Sequence, residues 1–170
     1  MSVPDGGSLQ LPPLALYIHI PWCVRKCPYC DFNSHAAGPT LPEQEYVDAL
    51  LADLDADLSH VHGRQLSSIF FGGGTPSLFS AAALGRLLAG VEQRIGFAAD
   101  IEITLEANPG TFEQAKFQAY RQLGINRLSI GVQSFQAAKL TALGRIHNGD
   151  EAIRAADMAR AAGFDNFNLD

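Results

Sequence analysis

The chain has 170 residues, 47% of them hydrophobic, enough for one substantial buried core and too few to be read as two independent domains. Its formal charge of −6 offers no basic face to a phosphate backbone, which argues against nucleic-acid partners, and no apolar run is long enough to make an integral membrane protein. The opening "MSVPDGGSLQLPP" lacks the basic and apolar parts of a secretion signal, and reads as a flexible leader over residues 1–13 of a cytoplasmic protein.

From residue 14 short apolar runs alternate with longer segments of helical period, the pattern of βα units around a parallel sheet. "LALYIHI" (14–20) is the first predicted strand, and a loop holding Cys23, Cys27 and Cys30 follows. Thr40 with Glu43 has capping-box spacing, and Val47, Leu50, Leu51, Leu54 and Leu58 then recur on one helical face, with Gly63 as the stop. "SSIFF" (67–71) is the second strand. A second helix is predicted from Ser80, with Leu84, Leu87, Leu88, Val91 and Ile95 on one face. "IEITLE" is the third strand, Thr111 with Gln114 opens a third helix that runs to Gly124, and "RLSIGVQ" (127–133) is the fourth strand. A helix from about Asp150 to Ala162 leads into "FDNFNLD", the fifth.

Alternate residues of a strand face opposite sides of its sheet. Ile101, Ile103 and Leu105 therefore oppose Glu102, Thr104 and Glu106; Leu128, Ile130 and Val132 oppose Ser129, Gly131 and Gln133; Phe167 and Leu169 oppose Asn166, Asn168 and Asp170. The first strand opposes Leu14, Leu16, Ile18 and Ile20 to Ala15, Tyr17 and His19. Parallel strands covered by helices on both sides are apolar on both faces, and these are not. With helices over the aliphatic faces, the other faces form a polar concave surface that needs water or a ligand. Glu106, Gln133 and Asp170 fall at C-terminal strand ends, where α/β folds carry their chemistry.

All three cysteines lie within eight residues, as C-x3-C-x2-C, directly after the first strand. An odd number of thiols cannot pair off, and soft thiolates this close suit zinc or an iron–sulfur cluster. A structural Cys3His zinc site with His19 or His35 is one reading. A four-iron cluster with three cysteine ligands is the other, and it leaves one iron open at the ligand-binding rim.

"YIHIPWCVRKCPYCDFN", "FFGGGTPS", "ITLEANPG", "LSIGVQSF", "LGRIHNGDEA" and "FNLD", in this order from Leu14 to the last residue, resemble the radical S-adenosylmethionine (SAM) proteins of the oxygen-independent coproporphyrinogen oxidase group. The resemblance implies an α/β fold, a partial (β/α)6 radical SAM barrel truncated here after the fifth strand, with residues 14–170 as the N-terminal part of the core domain. It implies a [4Fe–4S] cluster on Cys23, Cys27 and Cys30, whose open iron chelates SAM. In enzymes of the family, reduction then cleaves the sulfonium to a 5′-deoxyadenosyl radical. By the same resemblance Tyr17, Tyr29, Gly73, Gly74, Thr75, Glu106, Gln133, Arg145 and Asp170 are SAM-binding positions. His19, His35 and His147, for which the sequence identifies no ligand partner, are read as structural or solvent-facing.

The porphyrinogen oxidases typically carry a further cysteine two residues after the third, where this chain has Phe32. That departure, with "PWCVRKCPYCDFNSH", makes the chain more similar to the HemW-type branch of haem chaperones. The implied cargo is haem and the implied partners are haem-accepting apoproteins and an electron donor, with the haem-binding residues beyond the end of this chain. Oxygen-independent coproporphyrinogen III oxidase is the alternative on the same scaffold, and a zinc-stabilised binding module is a third.

Overall fold

The computed structural model describes residues 10–170, without the side chains of Thr111 and Phe112. The expected leader before residue 10, and the capping box expected at Thr111, lie outside the described residues and side chains. Residues 10–13 are exposed and lack regular structure, and Arg64 Nη1 donates to Pro12 O at 2.9 Å.

The chain runs β1 (Leu14–Ile20), β2 (Trp22–Cys23), β3 (His35–Ala36), α1 (Glu43–Asp57), β4 (Leu66–Gly73) and α2 (Ala81–Ile95). It continues through β5 (Phe97–Ala107), α3 (Thr111–Gln114), α4 (Phe117–Gln122), β6 (Arg127–Ile130), α5 (Ala137–Ala142), α6 (Gly149–Ala161) and β7 (Asn166–Leu169). Five strands form one parallel sheet in the order β1-β4-β5-β6-β7, as a partial βα barrel requires. Right-handed crossovers between strands laid down in sequence order carry their helices to the same side. The core agrees: Ile18, Ile69, Phe71, Ile103, Leu105, Leu128 and Ile130 from the strands share one buried cluster with Val47, Leu84, Leu87, Leu88, Val91, Phe117, Tyr120, Ala155 and Ala159 from the helices. Each large side chain fully buried there contributes about 1.5–3 kcal/mol.

The alternation read from sequence is the alternation observed. Glu106 pairs in register with Ser129, and Ser129 with Asn168, so the polar residues of three strands line up on the face opposite the core. Arg127 joins that row, its Nη1 donating to Thr104 Oγ1 at 3.3 Å and its Nη2 to Asn168 Oδ1 at 2.8 Å.

Several local expectations are corrected. Thr40 does not cap α1, whose N-cap is Pro42 with no side-chain cap bond. Glu43 turns instead to the second helix, accepting from Ser80 N at 2.7 Å and Ser80 Oγ at 2.6 Å, while Ser80 Oγ caps Ala83 N at 3.1 Å. A long-range pair of hydrogen bonds thus outcompetes the local box. The third helix is broken into α3 and α4 near Lys116, whose ammonium reaches the carbonyls of Ser77, Leu78 and Phe79. The fourth strand ends at Ile130 rather than at residue 133, because Val132 N bonds to Ile130 O and Gln133 adopts a left-handed φ of 65°. The last long helix opens with a capping box of Asn148 and Glu151, and β2, β3 and α5 add to the expected elements.

Candidate functional site

At the C-terminal ends of the strands the chain opens into a cavity of about 200 Å³. Cys23, Cys27, Cys30, Tyr29, Gly73, Gly74, Thr75, Glu106, Gln133, Arg145 and Asp170 all line it, so the fold brings together residues spread over most of the chain. Tyr17 alone of the expected site residues is not in its wall. It stands on β1, half exposed, stacked on Phe70 at 6.3 Å between ring centroids and bonded through its hydroxyl to His19 Nδ1 at 2.9 Å.

The cysteine loop is closed at its base by the parallel pairing of β2 with β3, in which His35 N donates to Pro21 O and Ala37 N to Cys23 O, each at 2.7 Å. Inside the loop Lys26 Nζ donates to Phe32 O and Ser34 O, and Cys30 N turns back to Cys27 O. His19 Nε2 lies 2.8 Å from Asn33 O. That carbonyl only accepts, so Nε2 donates to it. His19, read as structural, therefore ties the sheet to the loop.

The glycine run after β4 permits contacts that side chains would block. A Cβ on Gly73, where φ is +115°, would stand 2.5 Å from His19 Cε1, and one on Gly74 would stand 2.7 Å from Trp22 O. Gly74 N and Thr75 N donate to Ile20 O and Trp22 O, binding this turn to the start of the cysteine loop. Gly73 N donates to Glu106 Oε2 at 3.2 Å. Burial raises the Glu106 carboxyl above its ordinary range; the Gly73 amide opposes this, Asp170 adds to it and His19 opposes it.

Asp170 accepts from Ser129 Oγ at 2.9 Å, and Asn168 Nδ2 donates to Asp170 and to Ser129 Oγ. Asp170 O also accepts from Gln133 N at 2.6 Å, which with the His147 Nε2 bond to Val132 O at 2.9 Å holds the left-handed turn at Gln133. Burial lowers the His147 pKa, and among the described residues its buried Nδ1 has no hydrogen-bond partner. His35 is exposed.

Arg145 links the rim to the cysteine loop. Its guanidinium donates to Gly131 O, to Asn108 Oδ1 at 2.9 Å, to Cys27 Sγ at 3.5 Å and to Tyr29 Oη at 3.4 Å, while its buried Nε has no partner among the described residues. Asn108 in turn donates to Thr75 Oγ1 at 3.1 Å. Sequence reasoning missed Asn108, although the alternation that turns Glu106 inward does the same for the residue two positions on. It also left Ser129 and Asn168 as mere members of a polar face.

Residues 17–170 match the Radical SAM superfamily. The chain belongs to that superfamily. It is 58% identical over 162 residues to the protein named heme chaperone HemW of Escherichia coli, covering 95% of this chain and 43% of that one. It is 56% identical over 165 residues to the Haemophilus influenzae protein of the same name, again covering 95% and 43%. Among solved structures, the radical SAM enzyme coproporphyrinogen III oxidase (HemN) of E. coli superposes with a TM-score of 0.83 at 32% identity, over 92% of this chain and 36% of that one. The chain thus spans less than half the length of these relatives.

Radical SAM membership implies a [4Fe–4S] cluster and SAM, and the residues present suit both. The three cysteines carry free thiols, are half-buried and share one wall of one cavity. Three cysteines in one loop would supply one thiolate to each of three irons of such a cluster and leave the fourth iron open to another ligand. The Thr75 hydroxyl and the Glu106 and Asp170 carboxyl groups in the wall are polar groups that a bound polar ligand satisfies. Among the described residues no helix is long and apolar enough to cross a membrane.

Proposed function

We propose that this chain is the cluster- and SAM-binding part of a cytoplasmic haem chaperone of the HemW type, with residues 14–170 as the N-terminal portion of its core domain. The observation that carries this reading is the 58% identity to E. coli HemW over nearly the whole chain, joined to a cavity in which three thiols meet a ring of polar strand-end residues. The partners are haem, the apoproteins that receive it and an electron donor.

In this reading Cys23, Cys27 and Cys30 hold the cluster. When bound, the cluster supplies an electron and an iron with an open coordination position. Arg145 fixes a positive charge against Cys27. Gly73 and Gly74 admit SAM close to the backbone, Glu106 and Asp170 accept from its ammonium or hydroxyl groups, and Thr75, Gln133 and Arg145 present donors. Tyr29 screens the mouth of the cavity from water, and Tyr17 shields the flank of Glu106 across Gly72, whose Cβ would stand 2.9 Å from the Tyr17 ring and 3.2 Å from Glu106 Oε2.

Part of the rim is apolar, although exposed Arg25 also lines the cavity. Val24, Tyr29, Phe32 and Ile146 border the cavity and are 48–59% exposed, a patch suited to a large planar apolar cargo.

A second reading, porphyrinogen decarboxylation, is favoured by the TM-score of 0.83 against HemN. Phe32, standing where those enzymes typically carry a further cysteine, weighs against it. The test uses the full-length protein purified without oxygen. About four irons and four sulfides per chain with stoichiometric haem binding and no coproporphyrinogen turnover support the chaperone. Turnover without haem binding overturns it, and one zinc in place of iron overturns the cluster as well.

A further inference from the structure

The amide of Asn108 stands between two groups that the proposed function assigns to SAM. Its Oδ1 accepts from Arg145 Nη2 at 2.9 Å and its Nδ2 donates to Thr75 Oγ1 at 3.1 Å. A guanidinium has only donors, so the oxygen must face Arg145 and the NH2 group is left for Thr75.

That fixes the polarity of Thr75. A threonine hydroxyl has one proton to give and lone pairs to receive with. Here Asn108 fills a lone pair, the side chain is buried, and among the described residues no acceptor is bonded to the hydroxyl proton. Thr75 lines the cavity, so that proton is available to whatever the cavity holds. Glu106 and Asp170 in the same wall are acceptors without a donor when ionised. A ligand with both hydroxyl or ammonium donors and oxygen acceptors, as SAM has, needs donors from the wall too.

We infer that Asn108 is a positioning residue: by donating to Thr75 it keeps the Thr75 hydroxyl a donor toward an oxygen of bound SAM. The inference rests on the SAM-binding reading above. Aspartate at this position has the same shape and still accepts from Arg145, but it has no NH2 group. The Thr75 hydroxyl would then turn its proton to the carboxylate and face the cavity as an acceptor.

The experiment measures SAM affinity by equilibrium dialysis on the full-length, cluster-loaded protein, for Asn108→Asp, Thr75→Val and the double variant. Each single substitution is expected to weaken binding about tenfold, with the cluster absorbance unchanged. The double variant is expected to be no weaker than Thr75→Val within about twofold, because aspartate then has no hydroxyl to reverse. Thr75→Ser restores the hydroxyl, and in that background the aspartate penalty returns in full. Affinity of Asn108→Asp within about twofold of wild type, or penalties that simply multiply in the double variant, overturns the inference. A wild-type protein that holds the cluster yet binds no SAM overturns the SAM-binding reading itself, before any variant is compared.

Discussion

Arg145 and Cys27 lie 118 residues apart in the chain, yet Arg145 Nη1 donates to Cys27 Sγ at 3.5 Å. The same guanidinium reaches Gly131 O and Asn108 Oδ1, so a single side chain joins the cysteine loop to the ends of β5 and β6. Arg145→Gln is expected to weaken SAM binding by roughly tenfold or more, the scale of a lost charge-assisted hydrogen bond. Arg145→Lys rescues little, since one ammonium cannot reproduce a planar fork spread over four acceptors. Dialysis of labelled SAM with the cluster absorbance recorded on the same sample checks both.

Cys27→Ser removes a thiol from a loop and takes no large side chain from the core. Iron and sulfide content are expected to fall to background while the far-ultraviolet circular dichroism of the anaerobic protein keeps its shape. A collapse of the dichroism would assign the thiols a folding role of the kind structural zinc plays.

Glu106 sets a pH dependence whose sign follows from its environment. Burial raises its carboxyl above the ordinary value of 4.5, so the folded chain holds this proton more tightly than the unfolded one. Its contribution to stability is fully present below pH 4.5 and is lost as pH rises through the raised value. Glu106→Gln is therefore expected to stabilise the ligand-free protein at neutral pH, by a margin that closes as the pH falls toward 4.5, while weakening SAM binding. Urea melts of both proteins across that range read the difference.

Gly73→Ala combines two penalties. The added Cβ would overlap the His19 ring at 2.5 Å, and φ at +115° lies where residues other than glycine are strained. A loss of about 1–3 kcal/mol is expected from the strained backbone alone. Removing the ring with His19→Ala in the same chain relieves the overlap and leaves the backbone strain, so the double variant should be less unstable than the two losses summed. Thermal melts of the four proteins check this.

Much of the fold was legible because strand and helix periods are local. The two-residue alternation in "IEITLE", "RLSI" and "FNL" assigned each side chain a face that the sheet kept, whereas the strand expected to run on to Gln133 ends at Ile130. The leucines from Leu84 to Val91 likewise predicted the buried side of α2. Spacing failed where a residue had a better partner far away. Glu43 reached Ser80 instead of capping its own helix, and Lys116 turned to the carbonyls of Ser77, Leu78 and Phe79 where a continuous helix was expected.

By itself the sequence determined which residues face away from the core and which chemistry they carry: three thiols in one loop, two carboxylates and an amide at strand ends, and a glycine turn beside them. Only the tertiary structure decided how those groups are connected. That Arg145 spans from Gly131 O to Cys27 Sγ, that Asn108 orients Thr75, and that His19 reaches Asn33 O are outcomes of the parallel register and of loops packed across the sheet end. A period along the chain reports which way a side chain points. The partner it meets is set by loop closures over tens of residues, and their geometry is fixed by the packed core.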